Sequence, residues 1–495
     1  MKNNIKYILL SAVLIGFTAC NDEADFEELL DNPTQEIALP ELTAGTADFS
    51  NYVAVGASFT AGYTDGGLFI AGQENSFPSI LAKKFEGVGN AGFSQPLMSD
   101  NTGGILVGGT VARGHRLVFG GSGPVPLDVF LTSISAPVPP ITTEAGVNIG
   151  SDFNNFGIPG AKSFHLTAPG YAAANPFYAR VASSGSATVL SDAVAQNPTF
   201  FTLSEVGGND VLGYALSGGD GTNPITPTPQ FDAALNAIVD GLTANGAKGA
   251  IGNLPNITSL SHFTTVPHNP VPLDAATAGA LNQGYAQYNG GIQQALAALA
   301  GTGLFTAEEA AARTITFAAG TNNALVIIDE NLTDLGAINP AFSGLPKFRQ
   351  ATENDLFVLP LSALIPQGYG TQIQLEDKWV LTPEEQQEIA MATQAYNASI
   401  SDVAANHGLA LVDLNAILVE ASTTGIQFDA YVMTTDLVTG GLISLDGVHP
   451  TSRGYALMAS SFLKAIDATY GSNFEASGNL PKAGDYPTNY SPTLP

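Results

Sequence analysis

Cysteine and positive charge are both scarce in this 495-residue chain. A single cysteine excludes any intrachain disulfide. Lysine and arginine number 16 against 44 acidic residues, for a net charge of −28. Such a chain repels phosphate backbones and anionic lipid headgroups, which argues against a nucleic-acid partner. Charged residues are only 12% of the total, about half the usual share. No Gly-x-Ser-x-Gly elbow occurs, which counts against the α/β-hydrolase fold built on that turn. No tandem repeat of 20–50 residues is present, and an adhesin-like structural protein would need one. What fills the gap is Ala, Thr, Ser and Asn with 54 Gly and 30 Pro, a mix that fits an extracytoplasmic protein with much ordered loop. Hydrophobic residues at 45% are enough for a sizeable core.

The N-terminus accounts for the lone cysteine. Lys2 and Lys6 precede an apolar run from Tyr7 to Phe17 that is too short to span a bilayer comfortably. Thr18-Ala19-Cys20 follows. The pattern resembles a bacterial lipoprotein signal over residues 1–19, with Phe17 in place of the usual Leu. The resemblance implies a lipid on Cys20 and a membrane partner through that anchor. The acidic residues after Cys20 resemble those of surface-exposed Bacteroidetes lipoproteins, implying a cell-envelope location at the outer membrane. Residues 20–50, acidic and with Pro33 and Pro40, are expected to be a tether.

From residue 51 onward strands and helices alternate. Tyr52 to Val55 is apolar and β-prone, as a parallel strand covered on both faces requires, and Gly56 permits a sharp turn before Ser58. The 3.6-residue spacing of Phe77, Ile80, Leu81 and Phe85 predicts a helix. Asn155 to Gly157 is read as a strand end, Thr199 to Leu203 and Ala250 to Leu254 as buried strands, and Leu409 to Asp413 as the last one. Thr228-Pro229 is read as a helix N-cap and first residue. Thr382-Pro383-Glu384-Glu385 starts another helix with a capping box. A helix with Tyr455, Met458, Phe462 and Ile466 on one face closes the pattern. Residues of about 90–150 and 300–380 break the alternation and are read as two insertions. The tail, 471–495, reads as loosely ordered. Repeated strand–helix units predict a parallel sheet with helices on both faces.

Such a sheet gathers its strand ends along one edge. Here those ends carry Ser58, Asn209 and the pair Asp446 and His449. Acyl transfer needs a nucleophile, a base, an orienter for the base and donors for an oxyanion. Ser58 can be the nucleophile and His449 the base. Asp446, three residues before His449, can hold the other imidazole nitrogen. The other histidines (His115, His165, His262, His268 and His407) stand in no such context and are read as structural. Asp446 and His449 could also ligate a metal, but no third ligand stands at a usable spacing.

The blocks Gly56-Ala57-Ser58, Asn155 through Gly160, Gly207-Gly208-Asn209-Asp210 and Asp446-Gly447-Val448-His449-Pro450-Thr451 occur in the order of the SGNH, or GDSL, hydrolases, which the chain resembles from about residue 50 to 470. The resemblance implies an α/β fold: a three-layer α/β/α sandwich on a five-stranded, mainly parallel sheet, flavodoxin-like in arrangement. It implies a Ser58–His449–Asp446 triad and an oxyanion hole of the Ser58 and Gly160 N–H groups with the Asn209 side chain. It implies no metal and no organic cofactor. Its substrates would be small-molecule or polymeric esters, and the two insertions are expected to rim the site. One departure stands out: the family has Asp where this chain has Ala57, which leaves the anchoring of the nucleophile loop unexplained. A non-catalytic ligand-binding lipoprotein on the same scaffold is the alternative, and the intact Ser, Asn, Asp and His count against it.

Overall fold

The computed structural model describes residues 38–494. The signal segment, Cys20 and the first part of the expected tether lie outside the described residues. The second part of that tether is packed. Thr43 N–H donates to Asn473 Oδ1 at 2.7 Å. Phe49 is fully buried, with its ring stacked on Phe85 at 4.2 Å and edge-on to Phe474.

Five strands make the central sheet: β1 (Tyr52–Gly56), β2 (Asn155–Gly157), β3 (Phe200–Ser204), β4 (Lys248–Gly252) and β5 (Ala410–Val412). Their order is β5-β4-β3-β1-β2, and every pairing is parallel. β1 is buried along its whole length, as its continuous apolar run requires. Gly56 pairs with Gly157 on one side and Ser204 on the other, so the ends of β1, β2 and β3 are level. That register puts the turns carrying Ser58, Gly160 and Asn209 side by side at one edge.

The helices that matter for the site are α1 (Ser58–Ala61), α2 (Phe77–Phe85), α3 (Gly208–Leu216), α4 (Thr228–Thr243), α5 (Ala275–Ala298), α6 (Pro383–His407), α7 (Leu414–Thr423) and α8 (Ser452–Tyr470). α8 packs on α2, β4 and β5, while α6 packs on α4, β4 and β5. The helices thus cover both faces, and the result is a three-layer sandwich. Ser76 caps α2 through Ser79 N–H. Of the capping box predicted at Thr382, the Glu385 half forms: its carboxylate accepts Thr382 N–H at 2.6 Å. Thr228 differs from expectation: Pro227 takes the N-cap place, Thr228 is already helical and no side chain caps the end.

β4 begins and ends two residues earlier than its apolar pattern predicts. Past Asn253, whose N–H still reaches Val412 O at 3.0 Å, the chain leaves the ladder, because Asn397 on α6 takes both the N–H and the C=O of Leu254 (2.7 and 2.9 Å). Outside the sheet, residues 90–150 hold two hairpins and a helix, Leu127–Ser133. Residues 300–380 contain strand Val326–Ile328, which pairs with Phe348–Gln350. Arg349 is held there between Asp329 and Asp355 at 2.5 and 2.7 Å, so its buried charge is compensated. The tail also departs from expectation. Tyr490 Oη donates to the Ala71 carbonyl, and Ser491 O accepts from the buried Arg116, so the chain end is tied to the domain.

Candidate active site

Two glycines decide where α1, the helix that begins at Ser58, can sit. A Cβ on Gly157 would stand 2.2 Å from Ala61 N, and one on Gly56 would stand 2.3 Å from Thr60 Oγ1 and 2.4 Å from Ser204 O. The missing side chains let α1 rest directly on the ends of β1 and β2. Asn155 Nδ2 then donates to Thr60 O at 2.8 Å, and the hydroxyls of Thr60 and Ser204 meet at 2.7 Å. Ser58, the first residue of this helix, is held almost without freedom and is 5% exposed.

Ser58 Oγ lies 3.0 Å from His449 Nε2, and His449 Nδ1 lies 2.8 Å from Asp446 Oδ2. The imidazole is lodged between the rings of Tyr63 (4.6 Å between centroids) and Phe59 (5.8 Å). Asp446 is more thoroughly satisfied than an ordinary turn residue. Its Oδ1 accepts the Val448 and His449 N–H groups at 2.9 Å each, and its Oδ2 accepts Gly66 N–H at 2.8 Å. Burial pushes the Asp446 carboxyl up, but the neighbouring imidazole and these donors outweigh it and hold it far below the usual carboxylate range. Burial likewise disfavours the His449 imidazolium, yet the Asp446 charge and hydrogen bond win, and its pKa lies above the ordinary 6.5. Asp65 braces the loop that carries the pair: its Oδ1 accepts Leu445 N–H at 3.1 Å, and its own N–H donates to Ser444 Oγ at 3.0 Å.

The donors expected for an oxyanion are in reach of this edge. Among the described residues, the N–H groups of Ser58 and Gly160 find no acceptor. Gly160 is in the left-handed region at φ +79° and is exposed. Asn209 Nδ2 gives one hydrogen to Ala161 O at 2.9 Å, which sets the amide beside the Gly160 turn and leaves its second hydrogen free. Asp210 fixes that turn from behind, accepting the Ser163 N–H and hydroxyl at 2.7 Å each.

The residue that the sequence reading missed is Glu205. It follows β3 in a left-handed conformation (φ +57°) and is buried. Its carboxyl accepts Phe59 N–H at 2.5 Å and lies 3.3 Å from Ser58 Oγ. Thus the anchor that Ala57 does not supply comes from the neighbouring strand. The only sequence signal was a carboxylate placed directly after a buried apolar strand.

The sequence profile of the GDSL-like lipase/acylhydrolase family matches residues 52–462. The chain belongs to that family. This GDSL hydrolase is accordingly an ester-hydrolysing enzyme of the lipase and esterase type, and its fold is that of the SGNH hydrolases. A search of curated proteins finds no match. Among solved structures, an extracellular lipase from Streptomyces rimosus is similar at 10% identity and a TM-score of 0.28, covering 85% of this chain and 99% of that one. Among the described residues no helix is long and apolar enough to cross a membrane. None of their His, Cys, Asp and Glu side chains form a group of three that could hold a metal ion.

Proposed function

We propose that this GDSL hydrolase is an extracytoplasmic serine esterase that works through an acyl-enzyme on Ser58. The observation that carries the reading is the unbroken relay from Ser58 Oγ through His449 to Asp446, at 3.0 and 2.8 Å. In it, His449 Nε2 takes the Ser58 proton as Oγ attacks the ester carbonyl. Asp446 holds the tautomer and stabilises the imidazolium that forms. The Ser58 and Gly160 N–H groups and the Asn209 amide receive the oxyanion, each good donor lowering the barrier by roughly 3–4 kcal/mol. The alcohol leaves with the proton from His449, and a water activated by the same imidazole releases the acid. Cys20, as lipid acceptor, would anchor the enzyme at the cell envelope. Its substrates are small or polymeric esters outside the cell.

A fluorophosphonate probe tests the chemistry. Wild type is expected to be labelled on Ser58 and to turn over p-nitrophenyl esters, and Ser58→Ala to do neither. Labelling at another residue, or equal labelling of both proteins, refutes the reading and favours the ligand-binding alternative. For the anchor, metabolic labelling with a fatty acid is expected in wild type and absent in Cys20→Ala.

A further inference from the structure

An apolar cavity lies between α3, α7 and α8, beside the catalytic constellation. Its lining includes Phe59 and Val448, the chain neighbours of Ser58 and His449, together with Glu205 and Asn209. Its volume is about 90 Å³. Beyond Glu205 and Asn209, every lining side chain is apolar. Leu418 on α7 and Met458 on α8 are buried members of the lining, and Leu212 on α3 is half-buried.

Protein interiors close-pack, and an empty apolar space of this size weakens a fold unless something fills it. An acetyl group held at Ser58 has no chain to place in it. A polar or sugar acid would meet no partner in it for its hydroxyls. A second, open depression at Gly160 is mixed in character: Arg113 and His165 line it together with Pro159, Pro169 and Phe177.

We propose that this cavity binds the acyl chain of the substrate, and that the enzyme acts on esters of medium or long unbranched fatty acids rather than on acetyl esters. The proposal rests on the serine-esterase reading and adds the acyl class to it. Asn209 is the link: it stands on the cavity wall and is also the side-chain donor for the carbonyl oxygen, so the chain attached to that carbonyl has the cavity directly before it. Each methylene transferred into such a wall is worth about a fourfold rise in kcat/KM until the space is filled.

The test is a matrix of soluble esters. One series varies the acyl group from acetyl to decanoyl on p-nitrophenol, and the other varies the alcohol from methyl to octyl on acetate. The expected result is a rise on the order of 10²-fold in kcat/KM from acetyl to hexanoyl, and little change along the alcohol series. Leu418→Trp and Leu212→Trp should each lower the octanoyl-to-acetyl ratio at least tenfold. The ratio is read on one preparation, so it does not depend on how much of the variant is folded. A profile peaking at acetyl, a dependence on the alcohol instead, or ratios unmoved by both substitutions would overturn the assignment. If the fluorophosphonate probe fails to label Ser58, the esterase reading has fallen separately. The cavity is then tested by cis-parinaric acid, expected to bind wild type and be displaced by decanoate; no binding would overturn it too.

Discussion

Replacing Glu205 by Gln keeps the shape of the side chain and removes its titration, and it exchanges the oxygen facing Ser58 Oγ for an amide nitrogen. Burial is the main influence on this carboxyl and pushes its pKa up to about 7, from 4.5 for an ordinary Glu, against the opposing pull of His449 and the Phe59 N–H. The unfolded chain therefore releases the proton near pH 4.5, while the folded chain keeps it until about pH 7. Across that window the native state binds more protons, so its stability falls as pH rises. A gap of this width corresponds to about 3 kcal/mol. Gln has the same shape, still accepts the Phe59 N–H and does not titrate. Urea unfolding of the two proteins at pH 4.5, 6 and 8 should show the variant gaining on wild type by about 3 kcal/mol over the series. Comparing them at each pH removes the groups they share, Asp446 above all. The same substitution should move the acid limb of kcat/KM to lower pH, because the Glu205 charge helps hold the His449 proton. In wild type that limb should lie above pH 6.5, since the imidazole must be neutral to act and its pKa is raised. A stability difference that stays flat with pH would refute the account of Glu205.

Three further outcomes follow from the site. Asp446→Asn should leave ester binding intact and lower kcat by about 10⁴-fold, as loss of the correct tautomer does; a loss under tenfold in steady-state kinetics would exclude Asp446 as the orienter. Asn209→Ala should lower kcat by roughly 10²–10³-fold with KM little changed, and a change confined to KM would remove Asn209 from the oxyanion hole. Gly157→Ala should destabilise the fold by roughly 1–3 kcal/mol in denaturant titration, because the new methyl meets backbone rather than a movable side chain; an unchanged midpoint would show that α1 does not rest on β2.

The triad candidates were legible because each sits in a short motif. Ser58 follows β1 directly, but Asp446 and His449 stand in the loop before α8 and not at a strand end as the alternation predicts, since α7 and a hairpin separate them from β5. His449 and Asp446 are three residues apart, and their contact is nearly local. Glu205 was not legible in that way. Its partners Ser58 and Phe59 are 147 and 146 residues distant, and its meaning depends on the carboxylate that Ala57 lacks. The end of β4 was misplaced for a related reason. Leu254 reads as strand because it is apolar, but it faces the cavity beside Ser58, and a long-range side chain, Asn397, holds its backbone. The tail was misjudged because polar composition says nothing about hydrogen bonds made to residues four hundred positions earlier, such as Tyr490 to Ala71. The cavity itself left no trace in the pattern, since its walls use the same leucines and methionines as a filled core.

The hydroxyl of Ser58 and the ring of His449 meet across 391 positions of chain. A ribosome must therefore deliver the chain through His449 before the two can touch. On the serine-esterase reading, Ser58 stays an unactivated alcohol until then, and fragments ending before His449 should be inert toward esters. Latency during synthesis would then follow from the order of the chain, because the relay forms only when its two distant halves have folded together.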